Sequence, residues 1–255
     1  MLKTKSKVSN WAKVRYGVPQ GSILGLILFL LYINDLPKII NKTLAPIIFA
    51  DDTSILFAHS NPTGFNKNIY IVFITLNKWL KLNLNTTNYV HFTTKRNMSV
   101  NFKIGFNNNF ITNSSYTKFL GVTMNNTLSW NNHILNMKKL SKACYIIRNT
   151  KTYMSVLSLK VIYYAFFHSL MGYGIIFWGN SLHSSIIFRI QKKAIRIMEG
   201  CGNRVLCRNV FNKLQILPLK SQYLLSLLMF VVQNKNIFLT NNKNQNLDTR
   251  QRKKL

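Results

Sequence analysis

Five acidic residues occur in this 255-residue chain, Asp35, Asp51, Asp52, Glu199 and Asp248, and two of them are adjacent. Carboxylates side by side repel each other and resist desolvation, so the Asp51-Asp52 pair is best tolerated beside a cation or a dense set of donors. Mg²⁺ is the obvious candidate, because it takes one or two carboxylates, keeps several waters and binds substrate phosphates. A plain Asp-rich turn has the same local sequence, and spacing alone leaves both possibilities open. The three cysteines, Cys144, Cys201 and Cys207, are odd in number and form no CxxC pair, which supports neither a disulfide framework nor a zinc knuckle. A reducing compartment is the default.

The elements that would position the pair follow from hydrophobic pattern. Pro46-Ile47-Ile48-Phe49-Ala50 and Ile55-Leu56-Phe57-Ala58 flank Asp51-Asp52-Thr53-Ser54, which predicts a buried β-hairpin with carboxylates at its tip. Upstream, Gly17-Val18-Pro19-Gln20-Gly21-Ser22 is turn-forming, and Ser22 is placed to cap a helix from Ile23 to about Asn34. That helix is apolar on every face and is expected inside the protein. Phe65, Ile69, Val72, Phe73, Leu76, Trp79 and Leu80 form a 3.6-residue stripe on a second helix. Strands are predicted at Tyr89–Thr93 and through Val100, Phe102 and Ile104, with a turn after Gly105 leading to Phe110-Ile111. Phe119-Leu120-Gly121-Val122 closes this mixed α/β half.

Beyond Ser129 the pattern is helical. Trp130, Ile134, Met137, Cys144 and Ile147 line one long helix, and Ile186, Ile187, Ile190, Ala194 and Ile197 line another. On the latter, Arg189, Lys192, Lys193 and Arg196 form a basic face, either phosphate-facing or simply solvated. Leu219–Val232 is a further apolar helix. The polar tail from Asn241 onward is expected to be disordered.

Thirty-four Lys and Arg against five acids give +29, which points to a polyanion: nucleic acid or an anionic membrane surface. An AT-rich coding sequence, which favours Asn, Lys and Ile, accounts for part of the excess. A 47% hydrophobic content excludes a typical disordered chain, and the length fits one large domain or two lobes. No signal peptide is evident at the start of the sequence. Ile23–Ile33 is too short to span a membrane. Val161–Trp178 reaches the lower limit, but Gly172 and Gly174 interrupt it, so a buried helix followed by a strand or turn is expected instead.

Together, Gly17-Val18-Pro19-Gln20-Gly21-Ser22 and Phe49-Ala50-Asp51-Asp52 resemble the signature of reverse transcriptases, in particular those of jockey-like non-LTR retrotransposons. The resemblance continues through Leu31-Tyr32-Ile33-Asn34-Asp35-Leu36-Pro37, Phe119-Leu120-Gly121-Val122, Leu128-Ser129-Trp130 with His133, Tyr173-Gly174 and Trp178-Gly179. It ends with Gln191-Lys192-Lys193-Ala194, Arg196 and Ile216-Leu217-Pro218. It implies an α+β fold: a partial polymerase palm over residues 1–125, then a mainly α-helical thumb and C-terminal region over 126–236, with a basic tail at 237–255. It further implies an RNA-directed DNA polymerase acting inside the cell, in nucleus or cytoplasm, on an RNA template, a DNA primer and deoxynucleotide triphosphates, with no membrane partner. Asp51 would hold the catalytic metals, Mg²⁺ or alternatively Mn²⁺, with Asp52 supporting the site. Pro19, Gln20, Gly21 and Ser22 would lie beside nucleotide and template, and Phe119, Leu120 and Gly121 resemble the primer grip. Two such ions would activate the primer 3′ hydroxyl and stabilise the leaving pyrophosphate.

Departures from the family pattern shape the expectation as well. The family carries another metal-binding Asp and a finger region upstream of the Gly17–Ser22 segment, which this sequence does not include. Thr86 stands where the family usually has a Lys that is proposed to donate a proton to pyrophosphate. The expectation is therefore a reverse-transcriptase fragment, an enzyme by descent that does not polymerise alone. An inactive nucleic-acid-binding remnant is the alternative, and a membrane-associated protein is a third.

Overall fold

The computed structural model describes residues 3–4, 7–8, 17, 21–39, 44–49, 52–58, 62–80, 87–92, 102–106, 109–202 and 204–238. The chain divides into two compact units, Met1–Tyr89 with Asn101–Thr112, and Val90–Val100 with Asn113–Leu255. The sequence is mixed α/β, with helices and small two-stranded antiparallel sheets.

In the first unit, β1 (Lys3–Thr4) pairs with β2 (Lys7–Val8), followed by α1 (Ile23–Ile33), α2 (Leu36–Ile39), β3 (Leu44–Phe49), β4 (Asp52–Phe57), α3 (Pro62–Leu80), β5 (Asn88–Tyr89), β6 (Gly105–Phe106) and β7 (Asn109–Phe110). Alternation along β3 and β4 gives each strand one packed face. Ile48, Ile55 and Phe57 pack with Phe29, Ile33, Leu36, Val72 and Leu76, while Ile47, Phe49 and Leu56 are exposed. The hairpin is therefore half-buried rather than buried. The described part of the α3 stripe packs as its spacing predicts: Leu76 and Val72 join this cluster, and Phe73 and Ile69 join a second one with Ile104 and Ile111, while the side chains of Trp79 and Leu80 lie outside those described. The strand expected at Tyr89–Thr93 is only the short β5; Thr93 and Val100 lie outside the described residues, and Phe102–Ile104 leads into the β6–β7 hairpin without regular structure of its own.

One expectation is overturned. Of the α1 residues only Ile33 is buried; Ile23 is 80% exposed, and Leu24, Leu26, Ile27, Leu28, Leu30, Leu31 and Tyr32 are also exposed. Apolar composition makes burial favourable but supplies no opposing surface. In the described first unit only the C-terminal end of α1 meets one.

After β8 (Thr112–Asn113), the second unit contains β9 (Tyr116–Phe119), β10 (Val122–Asn125) and the helices α4 (Asn131–Asn136), α5 (Leu140–Thr150), α6 (Val156–Ile162), α7 (Ser169–Gly172), α8 (Ile175–Trp178), α9 (Ser184–Glu199), α10 (Cys207–Leu214) and α11 (Leu219–Gln233). The single long helix expected after Ser129 is broken: a 3₁₀ turn over Met137–Lys139 joins α4 to α5. The break keeps Ile134, Met137, Leu140, Ala143, Cys144 and Ile147 all in one core. A π-helical turn over Tyr163–His168 joins α6 to α7 and points Tyr163, Phe167 and Met171 into that core.

The stretch Val161–Trp178 is thus a helix with one buried face, a turn at Tyr173-Gly174 and a further helical turn, while Val161, Phe166 and Leu170 are exposed on its other side. Among the described residues no single helix is long and apolar enough to cross a membrane; α10 and α11 pass that test only as a pair bent by 49°. Residues 239–255, most of the tail, lie outside the described residues.

Candidate active site

Asp52 opens β4, and Phe49 at the end of β3 is its cross-strand partner; Ala50 and Asp51, between them in sequence, lie outside the described residues. The strands reach further toward the tip than the apolar runs suggested, and Asp52 is the first residue of β4 with an exposed side chain. Backbone pairing continues through Thr53 and Ser54 regardless of their polarity, because a ladder needs only amides and carbonyls.

The Gly17–Ser22 segment is described in part. Gly21 holds a left-handed backbone (φ 86°), and Ser22 caps α1 as predicted, its Oγ accepting from the Gly25 N–H at 3.3 Å. Val18, Pro19 and Gln20 lie outside the described residues, as does Thr86. Both motifs are anchored to one cluster, since α1 and the β3–β4 hairpin each contribute to the packing around Ile33, Leu36 and Leu76.

The donor chemistry suits a hard divalent cation: a carboxylate exposed at a strand end, with a second adjacent in sequence. Among the described residues no group of three or more His, Cys, Asp and Glu side chains could hold a metal. The other described acids have basic partners, Asp35 at 3.0 Å from Lys38 on the surface and Glu199 in contact with Lys213.

In the second unit, Phe119, Leu120 and Gly121 form the tip of the β9–β10 hairpin. Phe119 pairs with Val122, and Leu120 (φ 45°) and Gly121 (φ 82°) are both left-handed, as a two-residue type I′ turn requires. Leucine at the first of these positions is strained, which marks the turn as unusual. The Tyr173 hydroxyl donates to the Leu120 carbonyl, and a Cβ on Gly121 would lie 3.3 Å from the Tyr173 ring. Two motifs 53 residues apart in sequence are thus in direct contact.

The remaining motifs resolve into packing joints around this hairpin. His133 is buried, and its Nδ1 accepts from the Thr123 N–H at 3.3 Å; burial pushes its pKa below the ordinary value. Its ring lies 6.0 Å from that of Trp178, whose Nε1 donates to the Tyr173 carbonyl at 3.1 Å. Asn125, which the sequence did not single out, supports the Leu128-Ser129-Trp130 bend: its Oδ1 accepts from the Trp130 N–H at 3.3 Å and its Nδ2 donates to Ser129 Oγ at 2.6 Å. Gly179 is required by close approach, since a Cβ there would lie 2.6 Å from the Ile175 carbonyl and 2.7 Å from the Tyr223 ring. Gln191 is fully buried and joins α9 to the Leu217-Pro218-Leu219 corner. An apolar-pattern search passes over it because its signal is a polar residue on the core-facing stripe of α9, between Ile187 and Ala194.

The ordered motifs resemble those of reverse transcriptases, and the chain is similar to curated proteins that carry that name. The chain is 27% identical over 211 residues to the probable RNA-directed DNA polymerase from transposon X-element of Drosophila melanogaster, covering 77% of this chain and 23% of the relative. It is 26% identical over 221 residues to that from transposon BS of the same organism, covering 79% and 24%. With the RNA-directed DNA polymerase from mobile element jockey, also of Drosophila melanogaster, it is 22% identical over 227 residues, covering 82% and 24%. The resemblance to non-LTR retrotransposon reverse transcriptases drawn from the motifs is therefore met along most of the chain, which spans about a quarter of the length of these relatives. No family profile matches the chain. No solved structure matches it either.

Proposed function

We propose that the chain is part of an RNA-directed DNA polymerase of a non-LTR retrotransposon, acting inside the cell, with residues 1–125 contributing to a palm and 126–236 forming a helical thumb and C-terminal region. The observation that carries this is the β3–β4 register, which brings Asp52 to the strand head directly after Asp51 in a chain similar to transposon polymerases over about four fifths of its length. Asp51 and Asp52 would hold Mg²⁺, or Mn²⁺ in its place, and the metal would supply charge neutralisation at the transferring phosphates. Gly21 and Ser22, with Pro19 and Gln20 before them, would border the incoming nucleotide and template. Phe119, Leu120 and Gly121 would contact the primer through the strained turn that Tyr173 holds. RNA template, DNA primer and deoxynucleotide triphosphates are the proposed partners.

Two-metal transfer draws on more carboxylates than this pair, and Asp35 and Glu199 are already matched to lysines. The 255-residue chain by itself is therefore expected to bind deoxynucleotide triphosphate without extending a primer. Equilibrium binding of a fluorescent deoxynucleotide triphosphate, with Mg²⁺ and with chelator, tests this. The proposal requires metal-dependent binding that Asp51→Asn abolishes; binding that responds to salt but not to metal or to Asp51 would instead establish the inert nucleic-acid-binding remnant, which the basic helical unit by itself favours.

A further inference from the structure

A groove of about 630 Å³ lies where α9, α10 and the first turn of α11 meet in the second unit. The rings of Phe188 and Phe211 contribute to its lining, 6.2 Å apart with planes inclined at 19°. Lys192 and Arg208 are its charged groups, Asn212 and Gln215 add amides, and no carboxylate lines it. The Lys192 ammonium sits 4.6 Å from the centroid of the Phe188 ring, a cation–π contact that holds the charge at the groove. Glu199, the only acid in the sequence from 113 to 238, is occupied by Lys213, and the same span carries sixteen Lys and Arg, so 16 − 1 gives +15.

The groove wall is set before any ligand arrives. Gln191 Nε2 donates to the Leu217 carbonyl at 3.0 Å, and its Oε1 accepts from the Leu219 N–H at 2.9 Å. Gln215 ends α10 in a left-handed conformation (φ 54°), its Nε2 donating to the Asn212 carbonyl at 2.8 Å. Such a site asks for a ligand with a negative charge and a flat apolar face together. A nucleotide has both; an acidic peptide satisfies the cations alone, and a duplex buries its base faces in its own stack.

We propose that this groove binds one nucleotide of a single-stranded nucleic acid, the phosphates on its 5′ and 3′ sides on Lys192 and Arg208 and its base against the aromatic and amide lining. The proposal is compatible with the polymerase function but does not depend on it, because it uses neither a metal nor the Asp51-Asp52 pair.

The test is fluorescence anisotropy of a labelled oligothymidylate, and of a duplex of equal length, with the full chain in chelator across a salt series. Lys192→Gln with Arg208→Gln is expected to weaken single-strand binding about tenfold or more and to flatten the log–log salt slope by about 1.4, the value for two single-strand phosphates. Lys138→Gln with Lys139→Gln, the same charge loss on exposed residues of the 3₁₀ turn, is expected to weaken it less than about threefold. Phe188→Leu is expected to weaken single-strand binding several-fold while sparing duplex binding, and Phe188→Tyr, which keeps the ring, to retain both. Equal losses in the two double variants would overturn the proposal in favour of diffuse charge. Competition by polyglutamate as strong as that by oligothymidylate would overturn it in favour of an acidic peptide. Because every measurement is made in chelator, it reads the groove without the metal site, and failure of the metal site and failure of the groove are separately visible.

Discussion

The side-chain amide of Gln191 completes the backbone at Leu219: its Oε1 accepts the N–H of this first residue of α11 at 2.9 Å, while its Nε2 donates to the Leu217 carbonyl at 3.0 Å and the Tyr163 hydroxyl at 2.9 Å. Helix N-termini leave amide groups without intrahelical partners, and a buried one needs a side chain to meet it. Burial pushes the Tyr163 hydroxyl well above its ordinary pKa, so it stays neutral, and its oxygen accepts from Gln191. Packing at this point joins the π-helical turn, α9 and the entry to α11.

Replacing Gln191 is accordingly expected to be severe. Gln191→Leu leaves the Leu219 N–H and the Leu217 carbonyl without their partner and should cost about 3 kcal/mol in urea unfolding. Tyr163→Phe removes one of the bonds and should cost about 1 kcal/mol. Because the two residues are in contact, the double variant should cost less than the sum. Strict additivity in this cycle would show that the Gln191–Tyr163 bond contributes nothing.

The strained hairpin tip predicts a gain rather than a loss. Leu120→Asn places at φ 45° a residue that tolerates the left-handed region and restores the Asn-Gly pair favoured in type I′ turns; it should raise stability by about 1 kcal/mol. Gly121→Ala should do the reverse by at least about 1 kcal/mol, because φ is 82° and the new Cβ meets the Tyr173 ring at 3.3 Å. Thermal melts of the two variants check both signs.

His133 gives a pH dependence. Its pKa is lowered from 6.5 by burial, and its Nδ1 must be unprotonated to accept from Thr123. The unfolded chain therefore binds this proton at higher pH than the folded one. Its contribution to stability is complete above about pH 6.5 and is lost as pH falls toward the lowered native value, with a slope of up to about 1.4 kcal/mol per pH unit. Chemical denaturation across this range should show the slope in the parent protein, and His133→Asn should show less of it; identical slopes would contradict the assignment.

The two ends of α1 should respond oppositely to substitution. Ile33 is buried against Leu36 and Leu76, so Ile33→Ala should cost about 2–3 kcal/mol. Leu26 is exposed, so Leu26→Lys should change stability by less than about 0.5 kcal/mol while lowering the binding of an apolar dye. A large loss from Leu26→Lys in unfolding experiments would show that the middle of α1 is covered.

Local rules made much of this protein legible from its residues. Ser22 announces the start of α1, and the apolar runs on either side of Asp51-Asp52 announce a hairpin, because capping and strand alternation are properties of neighbouring residues. The 3.6-residue stripe of α3 and the helical character of the segment that forms α9 follow for the same reason. Motif order along the chain carried the resemblance to transposon polymerases without any knowledge of contacts. Tertiary structure decided what no local pattern contains. The exposure of α1 depends on which surfaces oppose it, the break between α4 and α5 on keeping six core side chains together, and the roles of Asn125 and Gln191 on backbone groups distant in sequence. Tyr173 meets Leu120 across 53 residues, and the groove of Lys192 and Arg208 exists only where three helices converge. Burial and hydrogen bonding are settled by partners, and a partner remote in sequence leaves no periodic trace in the segment it completes.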